Sequence, residues 1–283
     1  MKVALYRTGR PFTEKFMENF QSGFMPGEAK FYTYDEYKQH GLPNADIHCF
    51  FGILRGMSEI FLECKQKGID HMYIDHAYLK GGYNPPFWFR IVKNGHCHNK
   101  LVERPDDRFK QYFKDIKLQP WRSTDGHILV CPPTNAMLEW FKIPNWYEET
   151  ITEIRKHTDR PIKVREKPFN PKIDNLLGFG LPTKGGGNAK KVRNDTSLQE
   201  DLENAHSVVT FNSQVATDAV IKGIPTFIYG GVNGALPVAH TDFSKIENPI
   251  YFDNRQQWLN HLAYCQFTDN EFRSGVAFRI SNQ

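Results

Sequence analysis

Val208-Val209-Thr210-Phe211-Asn212-Ser213-Gln214-Val215-Ala216-Thr217-Asp218-Ala219-Val220-Ile221-Lys222-Gly223-Ile224-Pro225-Thr226 is the stretch on which the fold turns. It opens with an apolar, β-branched run (residues 207–211, SVVTF), which predicts a buried strand. Asn212 and Ser213 follow, two side chains suited to capping a helix N-terminus. Residues 213–222 then read as a short helix, Gly223 ends it, and residues 225–229 (PTFIY) form the next strand. Strand, helix and strand joined by short links make a βαβ unit with parallel strands. The free N–H groups and positive helix end at Asn212 and Ser213 would favour an anion, and Asp218, a turn further on, could reach the hydroxyls of a ribose. A plain βαβ unit with a serine cap accounts for the same residues.

The pattern repeats outward. Residues 3–6 read as a first strand and residues 48–54 (HCFFGIL) as a buried parallel one. Residues 56–67 carry Met57, Ile60, Phe61 and Cys64 at helical spacing, with Gly68 as the stop, and residues 71–79 (HMYIDHAYL) return as a strand. After a charged stretch, 103–117, the alternation restarts. Residues 128–131 (ILVC) predict a strand, 146–157 a helix and 161–166 (PIKVRE) a strand. Residues 174–194 predict a Gly-rich basic loop, 197–205 a short helix, and 258–267 a C-terminal helical segment. The fold class expected is α/β, in two successive open parallel sheets, 1–124 and 125–283, with ligands at the carboxyl ends of strands.

The chain has 283 residues, enough for two domains of roughly 130 to 150 residues each. A formal net charge of +4 is below what a dedicated nucleic-acid module carries, and permits an anionic substrate. Cys49, Cys64, Cys97, Cys131 and Cys265 form no C-x-x-C pair and are odd in number, so they read as reduced thiols, which favours a cytoplasmic location. No signal-peptide core and no apolar run of membrane-spanning length is evident, so no membrane partner is expected. His96-Cys97-His98 lacks a second ligand pair, so no metal is expected.

Several residues could carry chemistry. Thr134 follows the strand 128–131 through Pro132-Pro133, at a turn whose N–H groups and hydroxyl could meet a phosphate. Arg165 and Lys167 stand two apart at a strand end, where arginine can grip a phosphate with two parallel hydrogen bonds and lysine adds a point charge. An edge strand with ordinary solvated charges would look the same. Asp75 and His76 close an apolar strand, and either could take a proton from an acceptor hydroxyl. A turn-capping Asp75 beside a surface His76 is the plainer reading. Tyr83, Trp88 and Arg90 lie in an aromatic, proline-rich run that could stack on an acceptor or simply pack. Lys184, Lys190, Lys191 and Arg193 put four cations on the loop, for a polymer's phosphates or for solvent.

The stretch 208–226 resembles the C-domain signature of GT-B glycosyltransferases, especially the capsule-polysaccharide type, and the segments around Thr134 and Arg165 fit it in order and spacing. The resemblance implies two Rossmann-like domains facing a cleft, the acceptor side in 1–124 and the nucleotide-sugar side in 125–283, with the C-terminal helix returning to the N-terminal domain. It implies a nucleotide-sugar co-substrate, taken as UDP-linked, and no other cofactor. Thr134, Arg165, Lys167, Asn212 and Ser213 would hold the donor phosphates, and Asp218, shorter than the family's usual Glu, the ribose. Asp75 would be the base, with His76 as the alternative. The short, mildly basic chain with its cationic loop is also similar to phage DNA glycosyltransferases, and residues 255–267 are similar to tails of phage proteins. That second resemblance implies 5-hydroxymethylcytosine in double-stranded DNA as acceptor, read by the loop cations and by Tyr83, Trp88 and Arg90. The rival acceptor is a surface glycan or its precursor. A non-catalytic nucleotide- or anion-binding module and a sugar-nucleotide epimerase would share the same sites.

Overall fold

A computed structural model describes residues 1–81, 86–167 and 196–282. The chain divides into two compact units, Met1–His98 with Leu262–Gln283, and Asn99–His261.

The first unit alternates β1 (Val3–Tyr6), α1 (Pro11–Gln21), β2 (Ala29–Tyr32), α2 (Tyr34–His40), β3 (Ile47–Phe51), α3 (Met57–Lys67), β4 (His71–His76) and β5 (Trp88–Lys93). β1 lies between β2 and β3 and pairs in parallel with both, and β3 pairs in parallel with β4. β5 then runs antiparallel to β4, so this sheet is mixed where a parallel one was expected. The predicted strand 71–79 stops at His76, because the chain turns back there to pair with itself. α1 forms for clear reasons: Pro11 pre-sets the first turn, and Thr13, Phe16, Met17 and Phe20 recur on one buried face. α3 buries Met57, Ile60, Phe61 and Cys64 and ends at a left-handed Gly68, as their spacing predicts.

The second unit holds α4 (Asp107–Tyr112), β6 (His127–Cys131), α5 (Asn135–Phe141), α6 (Trp146–Arg155), β7 (Ile162–Val164), α7 (Leu198–Glu203), β8 (Ala205–Thr210), α8 (Val215–Ile221), β9 (Thr226–Ile228) and α9 (Arg255–Tyr264). Its sheet is parallel in the order β7-β6-β8-β9. Every residue of β8 is buried, as befits a strand covered on both faces. One face packs against Trp146, Ile154, Phe211 and Phe243, the other against Leu202, Val215, Ala219 and Ile224. Gly223 cannot be replaced quietly: its φ is +72°, and a Cβ there would fall 1.9 Å from the Pro120 carbonyl oxygen.

The chain then re-enters the first unit with β10 (Gln266–Thr268), α10 (Asp269–Arg273) and α11 (Val276–Ser281). β10 pairs antiparallel with β5, and α10 packs on α1, so the sheet order is β10-β5-β4-β3-β1-β2. The expected helical run 258–267 therefore ends early, since Gln266 and Phe267 are used as strand. Phe16, Phe20, Phe89, Phe267 and Phe272 meet in one aromatic core, and burying such a ring contributes about 1.5–3 kcal/mol.

Candidate functional site

In the second unit the chain steps from β6 outward to β7, then crosses back to β8 on the other side of β6. That reversal makes the carboxyl ends of β6 and β8 a topological switch point, the place where open α/β sheets take ligands. Thr134 stands beyond β6 as the exposed residue before α5, with no side-chain cap bond of its own. Asn212 and Ser213 stand beyond β8. The turn is built from its neighbours: the Thr210 hydroxyl donates to the Cys131 carbonyl at 2.6 Å across the two strands, and the Asn233 amide donates to the Ser213 carbonyl at 3.1 Å.

Ser213 is not the helix cap it was expected to be. α8 starts at Val215 behind Gln214, which has helical backbone and makes no side-chain cap bond. The Ser213 hydroxyl instead accepts from the Val215 N–H at 3.3 Å, a local turn that competes with capping. Asp218 lies within α8, half-buried, and burial pushes its carboxyl above its ordinary value, with Lys222 opposing.

Arg165, one residue past β7, is committed within the protein. Its Nη1 donates to Asp201 Oδ2 at 2.6 Å and to the Thr196 carbonyl at 2.9 Å. Lys163 holds the other carboxylate oxygen at 2.6 Å. Burial pushes the Asp201 carboxyl up, but Lys163, Thr196 and Arg165 outweigh it and hold it below the usual carboxylate range. Asp201 was missed in the sequence, although Ser197 and Glu200 spell the capping box that starts its helix. Lys167 is exposed two residues further on.

In the first unit, β4 and β5 place Asp75 directly opposite Arg90. Asp75 Oδ2 accepts from the Tyr73 hydroxyl at 2.5 Å and from Arg90 Nη2 at 3.2 Å, and Oδ1 accepts from the His76 N–H at 2.8 Å. Arg90 Nη1 also donates to the His76 carbonyl at 2.9 Å, and its guanidinium lies against the rings of Tyr73 and Tyr78. Burial pushes the Asp75 carboxyl up, yet Arg90, His76 and the Tyr73 hydroxyl together bring it below its ordinary value. A carboxylate so held is a weak proton acceptor at neutral pH. Arg90 and Trp88 do not form an exposed acceptor wall in this structure. Arg90 is spent on Asp75, and Trp88, in a strand paired on both sides to β4 and β10, is 3% exposed. His76 is the half-buried last residue of β4, its ring flanked by Phe51 and Phe89.

Tyr83, Lys184, Lys190, Lys191 and Arg193 lie outside the described residues. Among the described residues no group of three or more His, Cys, Asp or Glu is placed to hold a metal ion, and no helix is long and apolar enough to cross a membrane.

No protein-family model and no curated protein matches the chain. Among solved structures it is similar to the beta Kdo 2,7 transferase of Thermosulfurimonas dismutans KpsC, with a TM-score of 0.51 and 15% identity, covering 100% of this chain and 99% of that one. The beta Kdo 2,4 transferase of the same organism's KpsC gives a TM-score of 0.50 and 11% identity over 95% of this chain and 92% of that one. At such identities the likeness is one of fold.

Proposed function

We propose that the chain is a glycosyltransferase of GT-B arrangement, transferring a sugar from a nucleotide-sugar donor to a hydroxyl of a surface glycan or its precursor. The observation that carries this reading is the reversal of strand order between β6 and β8, with Thr134, Asn212 and Ser213 just past the carboxyl ends of these parallel strands. The end-to-end likeness in fold to two Kdo transferases supports the reaction class and the glycan acceptor. Unit Asn99–His261 would then be the donor side and the other unit the acceptor side.

The acceptor oxygen attacks the anomeric carbon as the bond to the donor phosphate oxygen breaks. The departing phosphate charge falls to the N–H groups of the turn after Thr134 and to the Ser213 hydroxyl, with Arg165 and Lys167 as cations at the end of β7. Asp218, half-buried in α8 with its carboxyl raised above its ordinary value by burial, is offered to the ribose hydroxyls. The acceptor proton goes to His76 rather than Asp75. Asp75 is already saturated by Tyr73, Arg90 and the His76 N–H, and its part is to fix the end of β4.

The test is an assay with a panel of nucleotide sugars, UDP-linked hexoses and an activated Kdo among them. A capsule-type oligosaccharide and DNA carrying 5-hydroxymethylcytosine serve as acceptors. Transfer to the oligosaccharide is expected. His76→Gln should lower it by about 10² to 10⁴ with donor affinity kept within a few-fold. Transfer to DNA alone would overturn the glycan reading. The DNA reading itself rests on Lys184, Lys190, Lys191 and Arg193, outside the described residues.

A further inference from the structure

The first unit has its own reversal point. The chain steps from β1 out to β2 and crosses back to β3 on the other side of β1. At the carboxyl ends of these three strands lies an open cavity of about 480 Å³ whose lining includes Arg7, Glu14, Tyr34, Asp35, Arg55 and Gly56. None of these residues entered the sequence-based site.

The charges lining it are of two kinds. Arg7 and Glu14 neutralise each other: Arg7 Nη1 meets Glu14 Oε2 at 2.6 Å, and the Arg7 guanidinium sits 4.1 Å from the centre of the Phe31 ring. Glu14 Oε1 is further occupied by the N–H groups of Thr8 and Gly9, at 2.6 and 2.8 Å. Arg55 and Asp35 are different. The Arg55 guanidinium donates only to the Thr8 and Gly9 carbonyls, at 3.0 and 3.3 Å, and no carboxylate pairs with it among the described residues. Two neutral carbonyls leave a full positive charge and most of a five-donor fork unused. The Asp35 carboxylate has no ion pair among the described residues either, although it lines the same cavity.

The wall between them is shaped by backbone. Arg55 has a φ of 58°, a left-handed conformation that a non-glycine residue adopts at a cost of roughly 1–2 kcal/mol. Gly56 follows at φ 86°, and a Cβ on it would lie 2.0 Å from Tyr34 Cε2. The bare Gly56 thus lets the Tyr34 ring lie flush on the chain, and Tyr34 is pinned by its hydroxyl donating to Glu59 at 2.7 Å. The cavity therefore offers an unpaired guanidinium, an unpaired carboxylate and a fixed aromatic ring. The carboxylate accepts from hydroxyls, the guanidinium grips an anionic group with two bonds, and the ring adds apolar surface to the wall.

We propose that this cavity is a saccharide subsite selecting a sugar that bears an anionic group, with Arg55 taking the anion and Asp35 the neighbouring hydroxyls. The assignment rests on the transferase reading only for its role as the acceptor's subsite, since binding at the cavity is measurable by itself. The experiment titrates the full chain, followed by NMR, with methyl glucuronide, glucose 6-phosphate and methyl glucoside. A separate titration with UDP and CMP reads the second unit.

The two charged sugars are expected to bind about tenfold more tightly than methyl glucoside, the gain of one charge-assisted pair at an exposed site. The ratio between glucuronide and phosphate shows which anion is preferred. Arg55→Gly should erase the preference, and because glycine accepts the left-handed backbone, the melting temperature should not fall. Asp35→Asn should weaken all three sugars, with the preference for charge intact. No binding of any of the three sugars, equal affinity for all three, or a preference for charge that survives Arg55→Gly would overturn the subsite, whatever the nucleotides do. Failure of both nucleotides to bind would count against the transferase reading instead.

Discussion

Asp201 shows most clearly how a single residue can organise this protein. It is 1% exposed and holds both Lys163 and Arg165, and Arg165 is itself only 13% exposed. Removing the carboxylate leaves an uncompensated, largely buried guanidinium, so Asp201→Ala is expected to cost about 3 kcal/mol in urea unfolding. If Arg165 also serves the donor phosphate, the same change should weaken donor binding, because the guanidinium loses its anchor. A loss under about 1 kcal/mol would show that the pair is screened as a surface pair is. Arg165 was legible in the sequence as a cation at a strand end. Its partner, 36 residues on, was not, because no local pattern specifies which carboxylate a strand end will meet. The same holds for Asp75. A carboxylate at the end of an apolar strand reads as a base, and only the pairing of β4 with β5 shows it tied to Arg90.

At the level of elements, legibility followed periodicity. α3, with its apolar spacing and Gly68, could be read nearly to the residue, and the buried runs of β3, β6 and β8 stood out as continuous apolar stretches. β10 could not be read. Three residues carry no period, and Gln266-Phe267-Thr268 is a strand only because β5 offers it an edge. The Gln266 side chain then closes the contact by exchanging hydrogen bonds with the Leu79 backbone, at 2.8 Å in each direction. The start of α8 was misread for a related reason. Asn212 and Ser213 are good caps in isolation, but the Ser213 hydroxyl closes a local turn on the Val215 N–H, its carbonyl is shared between Ala216 and Asn233, 20 residues away, and the helix begins two residues later than the cap chemistry suggests.

Across the whole molecule, sheet order was the part the sequence withheld. The alternation of strands and helices specifies α/β, but not which strand each crossover returns to, and it is the crossover that creates the reversal points at β6/β8 and β1/β3. Both units also bury histidines, and this sets a response to acid. Burial pushes His48 down to about 4, with neighbouring His71 adding to the effect. Burial and Arg90 push His96 down to about 3, and burial and Arg104 push His261 down to about 4. A base whose folded value is depressed stays neutral in the fold while the unfolded chain takes up its proton. Stability is therefore complete above about pH 6.5 and falls as pH drops toward about 4, by up to roughly 1.4 kcal/mol per pH unit for each such histidine. Asp75 and Asp201, held low, extend the loss below that range. Urea unfolding at steps between pH 7.5 and 4.5 should show a midpoint that is level down to about pH 6.5 and falls below it, and one that stays flat or rises below about pH 6 would contradict the buried neutral histidines.

Under the proposed function the donor nucleotide lies at the carboxyl edge of the second sheet. Hydrogen–deuterium exchange across the chain, with and without a saturating nucleotide from a panel of UDP, GDP, ADP and CMP, tests it most directly. Slowed exchange is expected at residues 134–138 and 211–217, in the turns after β6 and β8, with the first unit's amides little changed. Protection confined to residues 1–98, with both turns exchanging as in the free protein, would contradict it.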